Sequence, residues 1–399
     1  MKIALFHNYY KLRGGEDVMF ELECSALREA GHEVVTFILR NEEEIRSGSP
    51  LATASVAVRL ADNHHSYKRV REFIARERPD ISHVHNWFPL FSPSIYRAHA
   101  DAKVPVVQTL HNYRLGCAAG TFFRKGNVCD SCMPLKTNSA VAYKCYRGSL
   151  IGSLAWKRMA DQNWSDGTFR NKVDQYICPT EMVRQRHIEM GLRPETIATL
   201  PNACADPLDV LESRPFETRK AITYVGRLVR EKGVGVLLEA WRALELEGVD
   251  LPELRIIGSG PDGDRLQSAY GDMASVSFLG QLPREEVMGN MLDSRLLVFP
   301  SLSPEIFGLG IIEAMAAGCP VLASKLGGPA ELFEDGVEGV YVEAGDATGL
   351  GEKLAGLLGN PEELAVMGTA ARALYEKKYS TRQHAKSLVD LFKRVMEAR

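Results

Sequence analysis

The chain has 399 residues, of which 45% are hydrophobic and 25% are charged, a balance typical of a globular protein and not of a disordered or fibrous one. This length predicts two domains, because one domain usually has about 100–200 residues. The net charge of −3 argues against a basic nucleic-acid-binding protein, and no apolar run approaches the roughly 18 residues that cross a bilayer. The N-terminus lacks signal-peptide features, so we expect a cytoplasmic protein that binds no nucleic acid.

The first half of the chain alternates strands with helices. A turn with Gly14 and Gly15 separates the first strand from an amphipathic helix, which ends at Gly31 because glycine tolerates the positive φ of a helix C-cap. Strands are predicted at 3–6, 33–39, 81–84, 104–110 and 175–178, and helices at 16–30 and after Thr180. Alternation of this kind predicts a parallel sheet with helices on both faces.

A second alternating series follows a polar, Pro-containing segment at 205–220, which we interpret as a linker. Its strands are predicted at 222–225, 254–257, 276–279, 295–299 and 321–323, and its helices at 233–246, after Gly308 and, in the tail from 361 onward, twice more. The expected domains are 1–204 and 221–375, with a final helix at 376–399 that could pack back on the first domain. We predict an α/β fold of two doubly wound, Rossmann-like domains facing across a cleft, with a ligand at the carboxyl ends of the strands.

The charges of the chain are divided unevenly. Residues 1–204 contain 27 Lys and Arg against 21 Asp and Glu, whereas residues 205–399 contain 21 against 30. Within the first part, residues 111–172 carry ten basic side chains against three Asp, and they include a basic insertion at about 112–160. Although most of these side chains are individually typical of a solvated surface, their concentration predicts an anionic partner.

The segment 301–331, SLSPEIFGLGIIEAMAAGCPVLASKLGGPAE, has the pattern of a diphosphate site. A strand delivers Glu305 in a loop, and a helix that starts near Gly308 carries Glu313. The N-terminus of a helix offers unsatisfied N–H donors and a partial positive charge to a diphosphate, and carboxylates accept hydrogen bonds from the hydroxyl pairs of a sugar or a ribose. Either Glu taken alone would be read as a solvated surface acid.

A second motif, GRLVREKG at 226–233, follows the strand that opens the second domain. Arg227, as a planar fork, and Lys232, as a point charge, can converge on phosphate oxygens and stabilise a departing diphosphate. The alternative interpretation is a solvated basic loop, and Arg230 fits that description.

Taken in order, these motifs resemble the retaining GT-B glycosyltransferases of glycosyltransferase family 4, and the resemblance covers nearly the whole chain. The segments that carry it are GGEDVMFELECSALREAGHEV, HVHNWF, TLHNYR, GRLVREKG, IIGSGPDGDRL, FLG, PEIFGLGIIEAMAAGCPV and GG-x-x-E. The resemblance implies transfer of a sugar from a nucleotide-diphosphate donor to an acceptor, with retention and without a cofactor. It does not imply that Glu305 acts as a covalent nucleophile.

The resemblance also implies roles for single residues. Arg227 and Lys232 would bind the diphosphate, Glu305 the hydroxyls of the transferred sugar and Glu313 the ribose, while His111 would lie beside the sugar near the acceptor. The other implied donor-binding residues are Gly15, Gly226, Gly258, Leu279, Gly280, Phe307, Gly308 and Leu309. We expect a glycan or lipid-linked acceptor in cell-envelope polysaccharide or glycolipid synthesis.

Some features of the sequence also fit functions other than sugar transfer. Residues 258–263 match G-x-G-x-x-G by letter, but the strand that follows ends in Gly280-Gln281 and lacks the acidic residue of a dinucleotide site, so hydride transfer is disfavoured. A GT-B-fold phosphorylase or nucleotide-sugar epimerase is one alternative. A non-catalytic, zinc-containing scaffold that binds anionic lipid or nucleic acid is another, although a scaffold would need none of the four charged residues above.

Four of the eight cysteines lie in the basic insertion with the spacing C-x11-C-x2-C-x12-C: Cys117, Cys129, Cys132 and Cys145. Disulfides are not expected in a cytoplasmic enzyme. Four thiolates could instead hold a structural zinc ion, with Cys129 and Cys132 as its knuckle. Zinc here would order the insertion and would have no part in the chemistry.

The same insertion continues as KCYRGSLIGSLAWKRM at 144–159, where basic residues flank an apolar stretch with Trp156. This composition suits a helix at an anionic membrane surface or a site for a lipid phosphate. A helix packed on the domain with solvated ends fits equally well. Peripheral contact with the inner face of the membrane is therefore one expectation.

Overall fold

The computed structural model describes residues 1–11, 13–41 and 56–399. The described chain divides into two compact units. The first consists of Met1–Arg124, Cys129–Pro201 and His384–Arg399, and the second of Lys125–Val128 and Asn202–Gln383.

A six-stranded parallel sheet forms the centre of the first unit. Its strands are β1 (Lys2–Tyr9), β2 (Glu33–Arg40), β3 (Ile81–Val84), β4 (Val106–Thr109), β7 (Gln175–Cys178) and β8 (Ile197–Thr199), and two short strands, β5 (Phe123–Arg124) and β6 (Asn127–Val128), fall between β4 and β7 in sequence. The order β2-β1-β3-β4-β7-β8 reverses direction between β1 and β3. Ligands of doubly wound sheets bind at such a switch point.

Seven helices of the first unit are α1 (Gly15–Glu29), α2 (His64–Glu77), α3 (Ser94–Ala102), α4 (Asn138–Ala142), α5 (Leu150–Ser165), α6 (Thr168–Asn171) and α7 (Glu181–Glu189). Side-chain caps fix several starts: the Ser149 hydroxyl accepts from the Gly152 N–H at 3.0 Å before α5, which satisfies one of the donors that a helix N-terminus leaves unpaired. The apolar face of α1, with Phe20 and Leu27, packs on the sheet residues Ile3 and Leu5.

The second unit repeats this design with strands β9 (Ala221–Val225), β10 (Glu253–Ile257), β11 (Val276–Gly280), β12 (Ser294–Phe299), β13 (Val321–Ser324) and β14 (Gly339–Val342). They form a parallel sheet in the order β11-β10-β9-β12-β13-β14, with the switch point between β9 and β12. Its helices are α8 (Val234–Leu246), α9 (Gly263–Tyr270), α10 (Arg284–Leu292), α11 (Leu309–Ala316), α12 (Ala347–Leu358) and α13 (Pro361–Leu374). Two apolar cores cover the two faces of this sheet.

The last helix, α14 (Thr381–Glu397), belongs to the first unit from His384 onward. Its buried Leu388 and Phe392 pack in the same core as Ile3, Leu5 and Ile81. The chain therefore returns at its end to the unit with which it began.

The segment 205–220, which the sequence suggested as a linker, lies within the second unit. It contains two 3₁₀ turns, Pro207–Asp209 and Phe216–Thr218. Arg219 is buried, and its guanidinium donates to the Ala317 and Gly318 carbonyls, each at 2.9 Å. These bonds tie the segment to the end of α11. Strands β8 and β14 are further elements that the sequence did not reveal.

Within the described ranges, no helix combines the length and the apolarity needed to cross a membrane.

Candidate active site

Two loops meet at the switch point of the second unit. One follows β9 and spans 226–233, and the other follows the neighbouring β12. Gly233 has φ +69°, and a Cβ there would lie 1.8 Å from the Pro300 carbonyl oxygen. The Leu302 N–H donates to the Glu231 carbonyl at 2.8 Å. The two loops thus pack backbone to backbone, and only glycine at 233 permits this approach.

This packing brings two predicted site residues together. Lys232 Nζ lies 2.6 Å from Glu305 Oε2, with side chains 26% and 17% exposed. The second oxygen of Glu305, Oε1, is buried, and no residue in the described part of the chain hydrogen-bonds to it. Arg227 lies in the same loop with an exposed side chain. The site therefore presents a fixed cation, an exposed cation and one unused carboxylate oxygen.

Gly327 and Gly328, which begin the GG-x-x-E motif, support the Glu305 loop. The Gly328 N–H donates to the Glu305 carbonyl at 2.7 Å. A Cβ at Gly328 would lie 2.2 Å from the Ile306 carbonyl oxygen, and one at Gly327 would lie 2.8 Å from the Glu305 nitrogen. Side chains at these positions would displace Glu305.

Gly308, which has φ +111°, is the N-cap residue of helix α11. The first N–H groups of a helix have no acceptor inside it, so the donors at Leu309 and Gly310 point away from the helix. The Phe307 ring is buried, which leaves only the backbone of Phe307 to face a ligand. These features give α11 an N-terminus suited to an anion.

Glu313, one turn inside α11, has a partner that the sequence did not suggest. Arg284 at the start of α10 lies 3.0 Å from its Oε1. Burial raises the pKa of Glu313, and Arg284 opposes that shift. The pair holds the carboxylate on the same edge of the sheet as Glu305.

The glycines of the 258–263 segment make close contacts with protein backbone. A Cβ at Gly258 would lie 1.9 Å from the Gly226 carbonyl oxygen, and one at Gly260 would lie 2.4 Å from the Leu228 carbonyl oxygen. The Gly258 N–H donates to the Gly280 carbonyl at 2.7 Å. These contacts explain the glycines as spacers that set the position of the Arg227 loop.

In the first unit, the strands β1, β3 and β4 end side by side. Asp17 ties the turn after β1 in place, since its Oδ2 accepts from the Gly14 N–H at 2.8 Å and its Oδ1 lies 2.6 Å from His7 Nε2. Asp17 and His7 are both fully buried. The position of Gly15 therefore depends on a buried hydrogen bond from β1.

The buried carboxylate of Glu23 lies close to three histidine rings. Its Oε2 lies 3.1 Å from both His83 Nδ1 and His85 Nε2, and its Oε1 lies 3.0 Å from His384 Nε2. Burial alone would raise the pKa of Glu23, but the imidazoles of His85 and His83 and the hydrogen bond from His384 hold it well below its usual range. His384 Nδ1 lies 2.8 Å from the Pro201 carbonyl. Glu23 therefore connects α14 to the end of β3 through buried contacts.

The same network reaches His111, the predicted acceptor-side residue. His85 Nδ1 lies 3.2 Å from His111 Nε2, and the two rings stack at 14°. One of these two nitrogens carries the proton that the other accepts. Burial, followed by the neighbouring His85, lowers the pKa of His111 well below its usual range. His111 is therefore neutral at neutral pH.

Glu16 is a site residue that the sequence analysis missed. Its two oxygens accept from Asn86 Nδ2 at 3.3 Å and from Asn112 Nδ2 at 3.4 Å. Asn86, His111 and Asn112 also line a small cavity of about 20 Å³. Burial, with a contribution from Asp17, raises the pKa of Glu16 to about 8. The signal in the sequence that could have identified Glu16 is its position in the first turn of α1, directly after Gly14 and Gly15. The N-terminus of a helix normally favours an ionised acid, so the raised pKa of Glu16 reflects its burial.

In the basic insertion, one pocket of the first unit is lined by Cys117, Cys129, Cys132 and Cys145. Trp156 is fully buried, and its Nε1–H donates to the Arg114 carbonyl at 3.0 Å.

Comparisons with known proteins agree with these features. The family model described as Glycosyl transferases group 1 matches residues 210–374, and the model described as Glycosyltransferase Family 4 matches residues 13–205. A GDP-mannose-dependent monoacylated alpha-(1-6)-phosphatidylinositol monomannoside mannosyltransferase of Corynebacterium glutamicum is 30% identical over 306 residues, which are 72% of this chain and 77% of that protein. The chain belongs to this glycosyltransferase family. The predicted family is confirmed.

Other relatives match over shorter stretches. The amylovoran biosynthesis glycosyltransferase AmsK of Erwinia amylovora is 30% identical over 236 residues, which are 57% of this chain and 54% of AmsK. The chain thus spans about half the length of such curated relatives.

Among solved structures, HepE of Anabaena in complex with UDP superimposes with a TM-score of 0.68 at 16% identity, covering 98% of this chain and 100% of HepE. At this identity the likeness concerns the fold. The glycosyltransferase has the α/β fold of the GT-B enzymes, as predicted.

Proposed function

We propose that this glycosyltransferase moves a sugar from a nucleotide-diphosphate sugar to a glycan or lipid-linked acceptor, with retention at the anomeric carbon. The observation that carries the proposal is the Lys232–Glu305 pair beside the N-terminus of α11. These groups lie where a doubly wound sheet binds its ligand.

The donor's diphosphate would lie over the N-terminus of α11, with Arg227 and Lys232 on its oxygens. Glu305 has an unused buried oxygen, which would accept from hydroxyls of the transferred sugar. Glu313 would accept from the ribose. Leu279 is 37% exposed at the end of β11, where it would face the base, and the Gly226 and Gly258 backbones would shape the floor beneath the donor.

The reaction breaks the bond between the anomeric carbon and the diphosphate oxygen. Positive charge then develops on the sugar and negative charge on the diphosphate. Lys232 and the N–H groups of α11 are held in place before the reaction, so they stabilise the leaving group with little reorganisation, and the exposed Arg227 adds a second positive charge. The acceptor oxygen bonds to the same face of the carbon, and its proton passes to the leaving phosphate. This same-face route retains the configuration without a covalent bond to Glu305.

The acceptor side is assigned to the first unit. His111 is neutral, so its imidazole can form hydrogen bonds with sugar hydroxyls without adding charge to the site. Glu16, with its pKa near 8, is largely protonated at neutral pH and can both donate to and accept from a hydroxyl.

The base of the donor can be tested directly. The Corynebacterium relative is named as GDP-mannose-dependent, whereas HepE was solved with UDP. We expect one of GDP and UDP to raise the melting temperature of the full chain, because a ligand at 100 times its Kd stabilises by about 2.7 kcal/mol. A thermal-shift series with both nucleotides and their sugars, followed by assay of nucleotide release from the sugar that binds, checks this.

Two results would contradict the proposal: no nucleotide or nucleotide sugar stabilises the chain, or the sugar that binds is never cleaved. Inorganic phosphate at the same concentration serves as the control. If it stabilises as well as the nucleotide, the site recognises only an anion.

A lipid-linked acceptor is supported by a surface near the start of α5. Leu150, Ile151 and Leu154 are 48%, 70% and 47% exposed, and Tyr143 nearby is 50% exposed. Exposed Lys144, Arg147 and Arg158 flank them. Since Trp156 is buried, the contact with an anionic membrane that we propose would use these aliphatic side chains, with the basic residues on lipid phosphates.

We expect the full chain to sediment with anionic vesicles. Ile151→Glu should bind them at least about tenfold more weakly, because burying one such side chain is worth about 1.5–3 kcal/mol. Val366, also 70% exposed but in the second unit, provides a matched control as Val366→Glu. Equal binding by the two variants, or no binding by the wild type, would reject this surface.

A further inference from the structure

The four cysteines of the basic insertion meet although they are spread over 29 residues of sequence. They line a pocket of about 140 Å³ in the first unit, together with Arg124. Cys117 and Cys132 are buried, and Cys129 and Cys145 are half-buried. All eight cysteines of the chain are described, and each is a free thiol.

The four thiols come from three short segments, around Cys117, Cys129–Cys132 and Cys145, whose backbones are hydrogen-bonded. The Cys117 N–H donates to the Tyr113 carbonyl at 2.8 Å, the Cys129 N–H to the Phe122 carbonyl at 2.8 Å and the Cys145 N–H to the Ala140 carbonyl at 2.9 Å. Three segments that are separate in sequence therefore bring their cysteines to the wall of one pocket. The other four cysteines of the chain do not line this pocket.

The insertion has little regular structure to hold it. Between β4 and α5 the elements are β5 and β6, of two residues each, and α4, of five residues. Of the eight described non-glycine residues with positive φ, five lie in this stretch: Phe122, Lys125, Leu135, Lys144 and Arg147. A positive φ at a non-glycine residue is retained only where contacts with the surrounding structure hold it. Small segments without a sizeable core usually obtain such contacts from disulfides or a bound metal.

We propose that Cys117, Cys129, Cys132 and Cys145 bind one structural Zn²⁺. Each thiol gives up its proton to solvent as its sulfur bonds to zinc, and no electron is transferred. Four thiolates and Zn²⁺ leave a net charge of −2, which the Arg124 guanidinium partly offsets. Arg124 is held at the pocket wall by stacking on Tyr143, with its Cζ 3.9 Å from the ring centroid.

Binding would draw the sulfurs together. A tetrahedral site with Zn–S bonds of about 2.3 Å places its sulfurs about 3.8 Å apart. Within the described ranges, only Glu23, His83 and His85 already bring three ligand atoms within 4.8 Å of one another, so the thiols are more open than a closed site. Since all four coordination positions are thiolates, none remains for substrate. The zinc would order the insertion and take no part in sugar transfer.

The test measures metal in the full chain, purified with a thiol reductant and without a chelator. We expect about one zinc per chain by elemental analysis, and a loss of at least tenfold in Cys132→Ser. The matched control is Cys24→Ser, a buried cysteine of the same unit outside the pocket, which should retain its zinc.

A second measurement does not depend on the folding of a variant. Wild-type protein stripped by a chelator and reloaded with Co²⁺ should show thiolate-to-cobalt charge-transfer absorption, and proteolysis within 117–145 should be faster without metal than with it. Wild-type protein that neither retains zinc nor binds Co²⁺ when reduced would overturn the proposal. So would equal zinc in Cys132→Ser and the wild type, or a Cys129–Cys132 disulfide in the protein purified with reductant.

Discussion

Lys232→Ala is expected to lower kcat/KM for sugar transfer by about 10²–10³. Removing one preorganised group that stabilises transition-state charge typically costs about 2.7–4 kcal/mol. Lys232 contributes in two ways, because its ammonium would sit on the leaving diphosphate and its 2.6 Å contact holds Glu305. Turnover should suffer more than nucleotide affinity, since the negative charge grows as the bond breaks. Initial rates over a range of donor concentrations, with calorimetric binding of the nucleotide diphosphate, separate the two.

The matched control is Arg230→Ala. Arg230 lies two residues away in the same loop, is exposed and carries the same charge, so the control removes one positive charge without touching Glu305. We expect it to remain within a few-fold of the wild type. If Arg230→Ala and Lys232→Ala lose equal activity, the loop acts through its overall charge, and if Lys232→Ala turns over like the wild type, Lys232 has no role in the reaction.

The donor side could be predicted from sequence because its signals are local. Strand ends, glycines and charged residues fall within two short motifs, and parallel strands put their carboxyl ends on one edge. The structure adds the reason for the glycines: Gly233, Gly327 and Gly328 bring backbones so close that side chains would not fit. No sequence rule reveals that the Lys232 and Glu305 loops touch, since this depends on β9 and β12 being neighbours.

The acceptor side was harder to predict because its contacts are distant in sequence. Glu23 and His384 are 361 residues apart, and His85 and His111 are 26 apart. The sequence analysis assigned no role to His83, His85, Glu23 or His384. Arg284 was missed for the same reason, because its partner Glu313 lies on another helix.

Glu23→Gln is expected to destabilise the first unit by about 1.5–3 kcal/mol, the typical contribution of a hydrogen bond to a charged group. Glutamine is nearly the same size, so packing changes little. The amide has one accepting oxygen in place of two, so it cannot keep both the contact with His384 Nε2 and the contacts with His83 and His85. His384 lies on α14, so we expect the end of the chain to detach first.

The pH dependence follows from the lowered pKa of Glu23. A carboxylate whose folded-state pKa is depressed contributes stability above its unfolded pKa of about 4.3, and this stability is lost as the pH falls through the folded pKa. The difference between the wild type and Glu23→Gln should therefore persist from pH 7 to pH 5 and shrink only at lower pH.

Urea unfolding followed by tryptophan fluorescence measures the difference in the free energy of unfolding between the wild type and Glu23→Gln. Trp87, Trp156 and Trp164 lie in the first unit and Trp241 in the second, so a Trp241→Phe background reports the first unit alone. Glu29→Gln, which removes an exposed carboxylate from the same helix α1, is the control and should stay within about 0.5 kcal/mol of the wild type. Equal stability of the two variants at pH 7 would show that the buried carboxylate of Glu23 does not stabilise the fold.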